Sequence, residues 1–264
     1  MHLIMEYAEN GSLDAYIHTS GLVLKFENLL NLMRQCVKGL AYLHGRDPII
    51  MHRDVKPANM VLTSNYRKLK ICDFGLVKSV ASTNTVNIGS AVYTAPEIYN
   101  TKKYDEMCDV YSFGVMFWEV MSQRKPFENC TFEHLMNQVL IQKERPDINA
   151  VKNSEISEQI KEIIELCWQE NSDARPSMKA LEDKLNTYLS HFKLEKGLAY
   201  LHGSEPIIMH RDVKPANMVL TSNYRKLKIC DFGLVKSIAS KNTENIGSAA
   251  YTAPEIYKVS IQVC

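Results

Sequence analysis

The 264-residue chain is 45% apolar and 23% charged, enough to build the core of one large or two small domains and too apolar for a disordered chain. Its 31 Lys and Arg nearly balance 30 Asp and Glu, for a net charge of +1, which argues against bulk attraction to nucleic acid or to a membrane surface. The seven Cys at 36, 72, 108, 130, 167, 230 and 264 form no CxxC pair, which excludes a disulfide scaffold or a zinc ribbon and fits a reducing compartment. The start Met1-His2-Leu3-Ile4-Met5-Glu6 has no signal-peptide pattern. No apolar run approaches the ~18 residues a membrane span needs. A cytoplasmic location is the expectation.

In chain order, residues 3–8 read as a strand end, and Glu9-Asn10-Gly11-Ser12 as a turn with Ser12 capping a short helix from Leu13 to Ile17. Leu29, Met33, Cys36, Leu40 and Leu43 recur at steps of 4, 3, 4 and 3, one face of a helix stopped by Gly45. A loop from Ile49 to Asn59 leads to two short strands, near 60–62 and 69–71, around a turn at Ser64-Asn65. Residues 73–97 are polar and turn-rich, and helices are expected near 109–121, 131–142, 154–169 and 177–192. Trp118 and Trp168 read as core anchors, and Cys108 and Cys167 as packed helix residues.

The chain also repeats itself. Lys38–Tyr99 recurs as Lys196–Tyr257, a 62-residue block at an offset of 158 with six differing positions. The period is far too long for a solenoid; a partial duplication or a faulty gene model explains it. Leu189 to His202 contains no Pro and one Gly, Gly197, so the junction is expected to be helical, weakened by about 1 kcal/mol at the glycine.

Three motifs follow one another: His52-Arg53-Asp54-Val55-Lys56-Pro57-Ala58-Asn59, Asp73-Phe74-Gly75 and Ala95-Pro96-Glu97. Singly each is weak; in this order, with a strand pair between the first two, they are highly specific. Their residue types suit phosphoryl transfer, which needs positioning and charge neutralisation more than covalent help. Asp54 is suited to accept a hydrogen bond from an attacking hydroxyl and Lys56 to neutralise phosphoryl charge. Asn59 and Asp73 offer hard oxygen ligands for Mg²⁺.

On these motifs the chain resembles the eukaryotic protein kinase family, specifically its large C-terminal lobe, over residues 1–192. "MEYAENGSL", "LKICDFG", "GSAVYTAPE", "KYDEMCDVYSFGVMFWEVMSQRKPF" and "RPSM" bring it near the TGF-β-activated kinase branch of the MAP kinase kinase kinases, in the tyrosine-kinase-like group. The resemblance implies a mainly α (α+β) lobe with small β-hairpins at 1–192, and at 193–264 a partial duplicate that is not an independent domain. It implies ATP and Mg²⁺ as cofactors. Asp54 and Lys56 would be catalytic, and Asn59 and Asp73 the metal ligands. Met5, Glu6 and Ala8 would form the hinge that meets adenine, with Val61 below the ring and Lys56, Asn59 and Asp73 also in the nucleotide site. Cys72 would edge that pocket. The pattern of Lys56 two residues after Asp54 implies serine/threonine specificity. Ser82, Thr83, Thr85 and Ser90 become activation-loop phosphorylation candidates, with Ser90 approaching Asp54 and Lys56, and with Arg53 able to pair with an added phosphate. Tyr111 replaces a more usual Trp in the central helix, and Arg175 would pair with Glu97. MAP kinase kinases become the implied substrates, alongside adaptor or activator subunits, with no nucleic-acid or membrane partner.

The family's small lobe is missing from this reading. The eleven glycines include no G-x-G, and nothing before Met5 has room for the strand lysine that completes the phosphate site. The duplicate keeps Asp212, Lys214, Asn217 and Asp231 but is expected to be non-functional. Two readings stay open: an active serine/threonine kinase in stress or immune signalling, or a catalytically deficient chain that binds substrates or adaptors as a decoy.

Overall fold

The computed structural model describes residues 6–19, 21–22, 24–73, 88–100, 104–151, 157–202, 208–210, 212–221, 226–230 and 236–237. The chain divides into two compact units, Met1–Asn186 and Thr187–Cys264. Met5, Ser82, Thr83, Thr85 and Asp231 lie outside the described residues.

The first unit begins with an extended stretch at 6–8, not a strand. It is tied to the molecule further on, where Asn10 N–H donates to Leu62 O (3.1 Å) and Leu62 N–H to Gly11 O (2.8 Å). Helix α1 (Leu13–His18) is capped as expected, with Ser12 Oγ accepting from Ala15 N–H at 3.2 Å. Helix α2 (Phe26–His44) buries Leu29, Leu30, Leu32, Met33, Cys36, Val37 and Leu40 and ends at Gly45. A 3₁₀ turn at Pro57–Asn59 leads into an antiparallel hairpin of β1 (Met60–Thr63) and β2 (Lys68–Ile71), paired Met60 with Ile71 through Thr63 with Lys68. Gly39 lets α2 approach this hairpin, since a Cβ there would lie 2.7 Å from Ile71 Cδ1.

Within the polar segment expected to be all turns, short helices form at α3 (Ile88–Ala91) and α4 (Pro96–Asn100). Helix α5 (Met107–Ser122) is buried along nearly its whole length, including Asp109 and Glu119. Gly114 makes its contact with α7 (Ser157–Cys167) possible; a Cβ would sit 2.6 Å from Cys167 Cβ. Helix α6 (Phe132–Met136) is capped by Thr131 and continues as a π turn over Asn137–Ile141. Leu135 and Val139 pack with Ala91, joining this segment to α3. Cys108, Cys167, Trp118 and Trp168 are buried as expected.

Helix α8 (Met178–His202) runs unbroken through the junction, as its composition requires. The second unit then holds a pair β3 (Ile208–Met209) with β6 (Lys236–Ser237), and a hairpin of β4 (Met218–Thr221) with β5 (Lys226–Ile229). That hairpin's register, Met218 with Ile229 through Thr221 with Lys226, repeats the β1–β2 register residue for residue. Among the described residues no helix is long and apolar enough to cross a membrane.

Candidate active site

The loop before β1 places its polar groups by short local bonds. Lys56 Nζ lies 2.6 Å from Asp54 Oδ2. Asn59 Nδ2 donates to Asp54 O (2.9 Å) and to the same Oδ2 (2.7 Å). Both partners therefore use one carboxylate oxygen and leave Oδ1 outside these bonds. A carboxylate accepts only, so the amide nitrogen of Asn59 must face Asp54 and its oxygen becomes the available ligand atom. Lys56 Nζ also donates to Ser90 Oγ at 2.8 Å, which brings α3 to this loop.

Asp73 directly follows Cys72, which is bound to the same loop. His52 Nε2 meets Cys72 O at 3.0 Å, Cys72 N–H donates to Asn59 O at 3.0 Å, and Cys72 Sγ reaches the same oxygen at 3.2 Å. Asp73 takes a left-handed backbone, φ 62°, and is exposed. Burial, then the Asp73 charge, pushes the Cys72 thiol up. Asn59 and Asp73 thus offer one amide and one carboxylate oxygen, a donor set suited to Mg²⁺.

The loop is held from below by α5. Asp109 is fully buried; its Oδ1 accepts Arg53 N–H (2.7 Å), and its Oδ2 accepts His52 N–H (2.7 Å) and meets His44 Nε2 (2.9 Å). Arg53 has φ 68°, and the bond to Asp109 offsets the cost of that conformation. The Arg53 guanidinium lies 5.7 Å over the Tyr104 ring. Further out, Arg175 grips Glu97 through two bonds of 2.6 and 2.9 Å, as the sequence suggested. The Tyr111 ring lies 5.1 Å from each of the guanidiniums of Arg145 and Arg175. Burial pushes its phenol up to about 12.

Of the hinge residues, Glu6 is exposed and ion-paired with Lys70, which holds its carboxyl below the usual range. Ala8 O accepts Gly11 N–H, and Val61 bridges to Ser12. In the second unit Lys214 Nζ lies 2.7 Å from Asp212 Oδ2, and Asn217 Nδ2 donates to Asp212 O (2.8 Å) and Oδ2 (2.9 Å).

Sequence reasoning passed over a buried cluster around Glu119. Tyr93 donates to Glu119 Oε2 (2.5 Å), while Glu119 Oε1 takes His18 Nε2 (2.8 Å) and Lys125 Nζ (3.3 Å). Lys125 also pairs with Asp14. The ligand atoms of Asp14, His18 and Glu119 lie within 4.8 Å of one another, but the Lys125 ammonium already supplies the positive charge they need. The available signal was a lone acid inside the apolar run Phe117-Trp118-Glu119-Val120-Met121.

The comparisons with known proteins agree with this geometry. The model of the protein kinase domain family matches residues 1–189 and, again, 182–261. Mitogen-activated protein kinase kinase kinase 7 of Drosophila melanogaster is 36% identical over 212 residues, covering 78% of this chain and 30% of that protein. A putative mitogen-activated protein kinase kinase kinase 7-like protein of the same organism is 40% identical over 185 residues, 69% of this chain and 47% of the relative. The human mitogen-activated protein kinase kinase kinase 7 is 35% identical over 194 residues, 72% of this chain and 31% of the relative. The chain thus spans between a third and a half, or slightly less, of these relatives' lengths. With the family model matching most of its length, the chain belongs to the protein kinase domain family.

Proposed function

We propose that residues 1–192 form the catalytic large lobe of a serine/threonine protein kinase of the MAP kinase kinase kinase type. It would transfer the γ-phosphate of ATP to Ser or Thr of a protein substrate. The observation that carries this reading is the joining of Asp54, Lys56, Asn59 and Ser90 by bonds of 2.6 to 2.9 Å.

Asp54 does the work of orientation. Lys56 and Asn59 fix its Oδ2, so Oδ1 is the oxygen placed to accept the hydrogen of the substrate hydroxyl. Lys56 holds its ammonium beside the same carboxylate, where it balances charge on the phosphoryl oxygens. Asn59 Oδ1 and Asp73 would hold Mg²⁺. When bound, that ion bridges phosphate oxygens and neutralises their charge. Glu6 and Ala8 would offer backbone groups to adenine, Met5 would stand beside them, and Val61 would close the underside of the ring. Ser82, Thr83, Thr85 and Ser90 are the hydroxyls on which activation would act. The relatives' names support MAP kinase kinases as substrates and a cytoplasmic site of action. Asp212, Lys214, Asn217 and Asp231 take no part.

The test is phosphate incorporation into a MAP kinase kinase by the purified chain with Mg-ATP, beside Asp54→Asn. Transfer that disappears with the substitution supports the reading. Equal silence of both proteins, with no nucleotide binding, overturns it in favour of a decoy. The absence of G-x-G within these residues is what keeps that second reading open.

A further inference from the structure

We propose that Glu119 is a positioning residue for phosphate transfer: acting through Tyr93, it fixes the turn that presents Ser90 to Lys56. This rests on the reading of Asp54 and Lys56 given above.

Ser90 and Tyr93 belong to one turn. Tyr93 N–H donates to Ser90 O at 3.1 Å, and Thr94 Oγ1 donates to the same oxygen at 3.1 Å. The two side chains therefore move as a unit, with the Ser90 hydroxyl at Lys56 and the Tyr93 phenol at Glu119. The backbone of the turn is bound as well, since Ser112 Oγ donates to Tyr93 O at 2.7 Å.

Ser112 and Glu119 both lie on α5, and so does Asp109, which holds His52 and Arg53. Asp109 and Glu119 are ten residues apart on the helix, a separation of about 15 Å along its axis. One rigid, buried helix thus sets both the catalytic loop and the turn that meets it. The distance between Lys56 and Ser90 is fixed by α5 rather than by the intervening chain.

The Glu119 carboxylate is prepared for this task. It is fully buried, and an isolated charge there would be costly. His18 and Lys125 converge on Oε1 and leave Oε2 to Tyr93. Burial, then the Glu119 charge, pushes the Tyr93 phenol far above its ordinary value. The phenol stays protonated and donates a charge-assisted bond.

The test compares Tyr93→Phe, which removes one hydroxyl and keeps the ring, with Glu119→Gln, which keeps an acceptor oxygen. In Tyr93→Phe, amides of residues 88–94 should exchange about tenfold faster, as expected when a charge-assisted bond is lost. The β1–β2 hairpin should be unchanged. The kcat should fall about tenfold to a hundredfold, as for a misplaced catalytic contact, with the KM for ATP within twofold. Glu119→Gln should fall between Tyr93→Phe and the unsubstituted chain. Unchanged exchange at 88–94 overturns the proposal. So does a fall in kcat that comes with faster exchange throughout the first unit, since the pair would then be merely structural. If the unsubstituted chain transfers no phosphate, the functional reading fails, and the exchange comparison still decides whether Tyr93 and Glu119 fix the turn.

Discussion

The two copies of the catalytic segment are almost the same sequence in two settings. In the first, Lys56 and Asn59 meet Asp54 at 2.6 and 2.7 Å; in the second, Lys214 and Asn217 meet Asp212 at 2.7 and 2.9 Å. His52 meets Cys72 O at 3.0 Å, and His210 meets Cys230 O at 3.0 Å. The following hairpins share one register. The constellation is therefore a local product of about twenty residues: a proline-led 3₁₀ turn, an amide that caps the aspartate's own carbonyl, and a hairpin that brings the chain back. The settings differ in what lies beneath. The repeated block ends at Tyr257, before any counterpart of Asp109, Ser112 or Glu119. A correct arrangement of side chains is thus separable from the buried helix that holds it in place.

The largest expected break in this symmetry is catalytic. Asp54→Asn should lower phosphate transfer by about 10²–10⁴-fold, while Asp212→Asn should leave it within twofold. A steady-state kinase assay on both variants reads the difference. Equal losses would mean that the duplicate contributes to the reaction.

Next comes the support. Asp109→Ala strips partners from two backbone N–H groups and from His44, at a cost of about 3–4 kcal/mol. Hydrogen exchange should show looser protection at 52–59 and none at 212–217. Loosening of both segments would contradict the view that the second loop is internally built.

A smaller effect separates two equivalent glycines. Gly39 and Gly197 occupy the same place in the repeat, and both are helical. Gly39→Ala must displace Ile71 and should destabilise by about 1 kcal/mol. Gly197→Ala should stabilise α8 by about 0.5–1 kcal/mol if helix propensity alone decides there. Thermal or denaturant melts of the two variants should shift in opposite directions.

The smallest effect concerns a thiol within the first copy. A raised Cys72 pKa means less thiolate at any given pH, so alkylation should be slower than for a free thiol near pH 8. Its rate should climb as pH rises further. Peptide mass spectrometry after timed iodoacetamide treatment measures this, and a rate equal to that of free cysteine would show that Cys72 is not held as described.

Much of this molecule was legible without coordinates because its signals are local. The steps of Leu29, Met33, Cys36 and Leu40 give α2, Ser12 gives the cap of α1, and the absence of a breaker from Leu189 to His202 gives the continuous α8. The reading of 3–8 as a strand end failed at residues 6–8, where pairing needs a neighbouring strand that an apolar run cannot announce. The short helices α3 and α4 were missed for a related reason: four or five residues are too few to carry a helical period.

What the sequence determined by itself is the family and the inner constellation, because Asp54, Lys56 and Asn59 are neighbours along the chain and need only turn chemistry to meet. Only the tertiary structure decided how that constellation is held. Asp109 reaches His52 and Arg53 across more than fifty residues, and Glu119 reaches Tyr93, His18 and Lys125 across 26, 101 and six. Contacts of that range are set by which surfaces the buried helix α5 meets, and a buried charge becomes tolerable only when packing delivers its partners.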